Sequence, residues 1–276
     1  MDQIEIEGGI RFAPAFNMSN QFAPSEELAV AILQDAKTNE ILKASFASRE
    51  AVEKILRTGI MTFWSPTGIW SSGEVSRNPM MVEEALVDCD QDAIICKGNR
   101  ALGNASETDF REIINLDTLK RSKDENLIDM ARVGLGGFMP KFNMRSRSSE
   151  EELALAIAQD VETKEILMAA FANRAAIEKT LRTGMATFFS RSHGLWTKGE
   201  SSGNTLNIEE MFANREQEAV IYGVRRTKGG ACHTNKRDGT PRDTCFYRKI
   251  GNLPLLKGKN HSLIDQAELS LVTEQE

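Results

Sequence analysis

Cysteine is scarce in this chain, four in 276 residues, and histidine and tyrosine are scarcer still, at three and two. Four thiols, at positions 89, 96, 232 and 245, are too few to staple a chain of this length, so in a reducing compartment they are free, buried or metal-bound. No apolar run approaches the ~20 residues needed to cross a bilayer, and the opening MDQIEIEGGI has neither the basic nor the apolar region of a signal peptide. A soluble, cytoplasmic protein with no membrane partner is expected. A surplus of positive charge is missing too. The formal charge of −6 and the pI near 5.4 disfavour a general nucleic-acid binder and leave room for a local basic pocket. There is no GxSxG, HExxH, P-loop or dinucleotide fingerprint.

What the chain does contain is itself, twice. Residues 26–65 align without a gap on residues 151–190, with 26 of 40 positions identical, so the two copies share one fold. A shorter echo, Phe12-Ala-Pro-Ala-Phe-Asn-Met18 against Phe138-Met-Pro-Lys-Phe-Asn-Met144, extends the repeat toward the N-terminus. The organisation expected is a first repeat over 1–119, a linker over 120–129, a second repeat over 130–256 and a peripheral tail over 257–276. Within each copy, alternating segments such as ELAVAILQD and EILKASFA predict two strands joined by a turn at Ala36–Asn39. Ser48–Gly59 and Asn173–Gly184 predict capped helices, with Ser or Asn at the N-cap and Gly past the end. Short strand-like segments follow at 60–65, 69–73, 82–87 and 93–97. The fold class is therefore α+β, a twisted sheet with one main helix per repeat.

The copies have lost complementary motifs. The first alone carries Asp88-Cys89-Asp90-Gln91-Asp92; the second alone carries Lys198-Gly-Glu-Ser-Ser-Gly-Asn204, Ala231-Cys-His-Thr234 and Thr244-Cys-Phe-Tyr-Arg248. Where the first copy has its acidic run, the second has Asn214-Arg-Glu-Gln-Glu218. Random decay would scatter such losses, so one composite site per chain is expected. Cys232 and Cys245 sit in a Gly- and Asp-rich connection that can bring two thiolates together, and a zinc site with an open position needs a third ligand. Cys96, in apolar Ala-Ile-Ile-Cys, reads as core, whereas Cys89 is flanked by aspartates. On an extended chain Asp88, Asp90 and Asp92 share one face, a set suited to Mg²⁺, and Cys89 points to the other. An EF-hand is rejected, because Ala93 stands where that loop needs Gly. Lys198 with its neighbouring hydroxyls and glycines can present donors to a phosphate, and Arg191 is likewise kept only in the second copy. His233 is the one histidine beside a candidate metal ligand; His193 and His261 read as surface residues.

In their order, these motifs identify a resemblance. Residues 153–248 resemble phosphoribosyl-AMP cyclohydrolase through Gln159-Asp160, Glu165-Ile-Leu-Met168, Ser190-Arg-Ser192, Leu195-Trp-Thr-Lys-Gly-Glu-Ser-Ser-Gly-Asn204, Ala231-Cys-His-Thr234 and Cys245-Phe-Tyr247. Residues 28–96 resemble it through Gln34-Asp35 and Asp88–Asp92. That family is a homodimer with metal sites at the subunit interface. The resemblance implies an intrachain pseudo-dimer with zinc on Cys89, Cys232 and Cys245 and magnesium on Asp88, Asp90 and Asp92. It also implies hydrolytic opening of the N1–C6 bond of 1-(5-phosphoribosyl)-AMP by a zinc-activated water, in histidine biosynthesis. His233 is the candidate for proton transfer, its ordinary pKa suiting both directions. Arg191, Ser192, Lys198, Glu200, Ser201, Ser202, Gly203, Asn204 and Thr234 are the candidates for holding the nucleotide substrate. Two alternatives stand beside this: a zinc-stabilised scaffold of the same fold, and a zinc hydrolase or deaminase of another nucleotide. The deaminase signature, His-x-Glu with Pro-Cys-x-x-Cys, is absent. The sequence departs from the family in a longer Cys232–Cys245 loop and an insertion over Arg145–Glu151.

Overall fold

Strands that must bury both faces read as near-continuous apolar runs, and the repeated ELAVAILQD and ELALAIAQD segments do so. In the computed structural model, which describes residues 10–102, 108–115, 141–146, 151–190, 194–250, 253–254 and 268–272, each lies at the centre of its repeat. The first repeat runs β1 (Ile10–Arg11), β2 (Met18–Asn20), β3 (Ala23–Asp35), β4 (Ile41–Ser48), α1 (Arg49–Thr58), β5 (Thr62–Ser65), β6 (Gly68–Ser71), β7 (Met80–Val87), β8 (Ala93–Arg100) and β9 (Phe110–Asn115). The second runs β10 (Met144–Ser146), β11 (Glu152–Asp160), β12 (Ile166–Ala172), α2 (Arg174–Thr183), β13 (Thr187–Ser190), β14 (Gly194–Thr197), β15 (Leu206–Asn214), β16 (Ala219–Arg226), β17 (Arg248–Ile250) and β18 (Glu268–Leu271).

The pairings repeat. β3 is antiparallel to β4 and parallel to β8, which is antiparallel to β7; β11 stands in the same relations to β12, β16 and β15. Alternate residues of β3 enter different cores: Leu28, Val30 and Ile32 join a cluster shared with the second repeat, while Ala29, Ala31 and Leu33 join a cluster containing Val52, Ile55 and Leu56 of α1. Each of the buried Leu, Val and Ile side chains among them contributes roughly 1.5–3 kcal/mol. The helices are capped as the sequence predicts. Ser48 accepts from the Ala51 N–H and Asn173 from the Ala176 N–H, and Gly59 and Gly184 close the C-termini in the left-handed region (φ 66° and 69°). Among the described residues no helix is long and apolar enough to cross a membrane.

The repeats do not keep separate sheets. β2 pairs antiparallel with β10, so both halves join one 14-stranded sheet. The echo seen in the sequence ends on Met18 and Met144, the first residues of these two joining strands. A strand late in each repeat also crosses to the other: β9 extends the edge at β15, and β17 extends the edge at β7. Phe46 and its repeat counterpart Phe171 stack at 6.5 Å. Gln34 and its counterpart Gln159 each donate to the carbonyls of both Asn39 and Lys164, at 2.6–2.9 Å. In its described part the tail expected over 257–276 forms an exposed strand. β18 pairs with both β17 and β1, because the edge opened by the crossing strand leaves backbone groups to satisfy. The predicted linker at 120–129 lies outside the described residues.

Candidate metal centre

The acidic motif is a turn and not a strand. β7 ends at Val87, and residues 88–92 reverse the chain into β8 with Gln91 in the left-handed region (φ 58°). Asp88 closes the turn through its Oδ1, which accepts from the Ala93 N–H at 3.0 Å. The N-terminal segment pins it from outside: the N–H groups of Ala13 and Ala15 donate to the side chain and backbone oxygens of Gln91, both at 2.8 Å. The alternation expected of an extended chain therefore does not apply, and Cys89 is not turned away from the carboxylates. The ligand atoms of Asp88, Cys89 and Asp90 all lie within 4.8 Å of one another, while Asp92 accepts from Asn17 Nδ2 at 3.0 Å. Burial and then the neighbouring Asp92 push the Asp88 carboxyl up to about 8, as expected of a carboxyl in apolar surroundings beside like charge.

The second repeat delivers its thiols on a folded loop. Backbone hydrogen bonds from Cys232 to Arg242, Ala231 to Asp243 and Arg242 to Thr234 draw its two ends together. Cys245 is fixed to β12 by its own N–H on the Leu167 carbonyl at 2.8 Å and by Thr244 Oγ1 on the Ile166 carbonyl at 2.7 Å. Cys89, Cys232 and His233 present ligand atoms within 4.8 Å of one another, with Cys89 Sγ 3.9 Å from His233 Nδ1. Cys245 and then Cys89 hold the Cys232 thiol far below its ordinary range, helped by the Thr234 hydroxyl at 3.0 Å and its N–H at 3.4 Å. The Cys89 and Cys245 thiols, each hydrogen-bonded to Cys232, are raised. One thiolate among two thiols and an imidazole is a donor set that fits a thiophilic cation such as zinc. Cys96 is fully buried in the first-repeat core, which pushes its thiol up to about 12.

Thr234 thus serves Cys232. Of the remaining predicted residues, Lys198 is buried with its ammonium 5.5 Å from the Trp196 ring. The loop from Lys198 to Asn204 is shaped by Gly199 and Gly203, both at positive φ, and a Cβ on Gly199 would meet the Asn204 carbonyl at 2.3 Å. Ser201 and Ser202 at its tip are exposed, as is Glu200. Arg191 and Ser192 lie outside the described residues.

Two features escape sequence reasoning. Arg248 on β17 donates from Nη1 to the Cys89 carbonyl at 3.2 Å and from Nη2 to the Tyr247 hydroxyl at 3.2 Å, so the second repeat grips the turn of the first. The second is the first repeat's counterpart to Cys245, which the sequence alignment does not find. Thr108 Oγ1 donates to the Ile41 carbonyl at 2.7 Å and the Asp109 N–H to the Leu42 carbonyl at 2.8 Å, repeating the bonds of Thr244 and Cys245. Asp109 therefore stands where Cys245 stands. The shared spacing Thr-x-Phe, at 108–110 and 244–246, is the signal that could have located it.

The model of the phosphoribosyl-AMP cyclohydrolase family matches residues 44–110 and 168–247, two segments that end within one residue of equivalent points in the repeats. A phosphoribosyl-AMP cyclohydrolase of Hyphomonas neptunium is 49% identical over 108 residues, 39% of this chain and 77% of that protein. One from Methanothermobacter thermautotrophicus is 44% identical over 109 residues, 39% of this chain and 74% of that protein. The histidine biosynthesis bifunctional protein HisIE of Thermus thermophilus is 45% identical over 105 residues, 38% of this chain and 46% of that protein.

Proposed function

The chain belongs to the phosphoribosyl-AMP cyclohydrolase family, and on that premise we propose that it hydrolyses the N1–C6 bond of 1-(5-phosphoribosyl)-AMP, a step of histidine biosynthesis, at one composite site per chain. The observation that carries this is the meeting of Cys89, from the first repeat, with Cys232 and His233, from the second, inside 4.8 Å. The exchanged strands β9 and β17 and the reciprocal Gln34 and Gln159 bonds support the reading of the chain as a fused, pseudo-twofold pair. In such a pair one complete site suffices, which accounts for the complementary losses.

Cys89, Cys232 and Cys245 are the zinc set, and Asp88, Asp90 and Asp92 the magnesium set. Zinc held by these thiols would supply a water acidified toward neutral pH. Thr234 stabilises the Cys232 thiolate, and Arg248 fixes the Cys89 backbone, so the ligands are held before the cation arrives. His233 presents Nδ1 to Cys89, which leaves Nε2 to give a proton to N1 as the ring opens. Lys198, with Arg191, Ser192, Ser201, Ser202, Asn204 and the loop's backbone at Glu200 and Gly203, is assigned to the phosphates and ribose of the substrate.

The test is turnover of phosphoribosyl-AMP by the purified, zinc-loaded chain, followed by the ultraviolet change on ring opening and by product mass. A gain of water with no loss of ammonia, abolished by a zinc chelator, is the expected result. A folded, zinc-bearing chain that leaves the substrate intact would overturn the proposal.

A further inference from the structure

A composite site made from opposite halves has a twin, made from the other two halves. In this chain the twin is a cavity of about 500 Å³ whose lining includes Lys43, Trp70, Ser72, Asp109 and, from the second repeat, Glu216. Asp109, Glu216 and Ser72 stand at positions of the proposed active site, and Lys43 and Trp70 at positions beside it. Asp109 replaces Cys245, as the shared hydrogen bonds to β4 and β12 establish. Glu216 occupies the place of Asp90, Ser72 that of Lys198, Lys43 that of Met168, and Trp70 that of Trp196.

The shape has been kept while the chemistry has changed. Gly73 repeats the positive φ of Gly199, and a Cβ there would meet Pro79 N at 2.4 Å, so the loop cannot be built with another residue. Arg77 takes the left-handed position of Gly203 (φ 55° against 73°). Phe63 and Trp70 stack as Phe188 and Trp196 pack, at centroid distances of 5.1 and 5.9 Å. A lysine ammonium lies 5.5 Å from each tryptophan ring, although Lys198 comes from the loop and Lys43 from β4. The difference is that Lys43 is neutralised by Asp109 at 2.6 Å. The thiols are gone, and the arginine at 191 is matched by Pro66. What remains on the wall is Glu74, Asp109 and Glu216 with Lys43 and Arg100; Glu74 pairs with Lys54 at 3.4 Å and Arg100 donates to the Asn78 carbonyl at 3.2 Å. Val75, in place of Ser201, is 99% exposed on the rim and supplies an apolar edge.

The geometry points to a non-catalytic ligand site for a phosphate-free nucleoside, a planar amino-heterocycle carrying ribose hydroxyls, and this inference rests on the cyclohydrolase reading of the composite site for the shape of what fits. The Phe63 and Trp70 side chains bound the heterocycle, the carboxylates accept its N–H groups and hydroxyls, and the two cations assigned to phosphate in the composite site, Lys198 and Arg191, are replaced here by Ser72 and Pro66. A cavity of about 500 Å³ lies within the usual range for small-molecule sites.

The probes are adenosine and adenosine monophosphate, titrated calorimetrically into the zinc-loaded full chain and into two variants. Ser72→Trp fills the cavity, lies outside the proposed catalytic set, and is expected to lose one adenosine-binding event while keeping zinc content and turnover. Asp109→Ser frees Lys43 and is expected to raise affinity for the monophosphate at this cavity at least ten-fold. Adenosine stoichiometry unchanged by Ser72→Trp would overturn the inference, and so would a wild-type cavity that prefers the monophosphate. Turnover is read separately, so loss of the proposed activity and loss of this site are told apart.

Discussion

Replacing Asp88 by Asn has an internal precedent, since Asn214 occupies the same turn in the second repeat. Asn214 Oδ1 accepts from the N–H groups of Glu218 and Ala219 at 2.8 and 3.0 Å, much as Asp88 Oδ1 accepts from Ala93 at 3.0 Å. An amide at position 88 therefore keeps the turn and removes only the charge. In the cation-free chain burial and Asp92 push the Asp88 carboxyl up from an ordinary 3.8 to about 8. The folded chain holds that proton more tightly than the unfolded chain. Its contribution to stability is therefore whole below about pH 3.8 and is lost as the pH rises toward 8. At pH 7 the loss is at most about 4 kcal/mol, from roughly three pKa units at 1.36 kcal/mol each. For a chain of this size that is a ceiling of roughly 10 °C in Tm. Thermal unfolding followed by circular dichroism in a chelator should show Asp88→Asn melting several degrees above wild type at pH 7.5 and level with it near pH 4. Added Mg²⁺ should raise the wild-type Tm and leave the variant unchanged. A variant that melts lower than wild type by the same amount at both pH values would refute this, because the carboxylate would then be irreplaceable in the turn itself.

Zinc content measured by mass spectrometry should fall to near zero in Cys89→Ala and in Cys232→Ala and stay at the wild-type level in Cys96→Ala; equal zinc in wild type and Cys89→Ala would sink the composite site. Arg248→Met releases the Cys89 carbonyl and should weaken zinc affinity about 10–100-fold in a competition titration, with Arg248→Lys recovering part of it. Gln34→Ala and Gln159→Ala should each cost about 1–3 kcal/mol in denaturant unfolding. Because both amides serve the same two carbonyls, the double variant should depart from the sum by about 0.5 kcal/mol or more. Strict additivity would show that the repeats do not share this contact.

The local elements of each repeat were legible in the sequence because their causes lie within a few residues. Alternation and a polar turn specify the hairpin of β3 and β4, and Ser48 with Gly59 specifies both ends of α1. The pairing of a cysteine from one copy with two from the other was legible as well, since the copies kept complementary motifs. Only the tertiary structure decided the rest. The Asp88–Asp92 run becomes a turn because Gln91 is held by Ala13 and Ala15, some 75 residues earlier in the chain. Strands β9 and β17 change partners because the open edges of β15 and β7 offer unpaired backbone groups that local sequence cannot report. Asp109 takes the place of Cys245 through backbone bonds to β4, a correspondence that loops of unequal length hide from any linear alignment. Residue types set which chemistry is available to the chain; long-range burial and strand register set which of those residues meet.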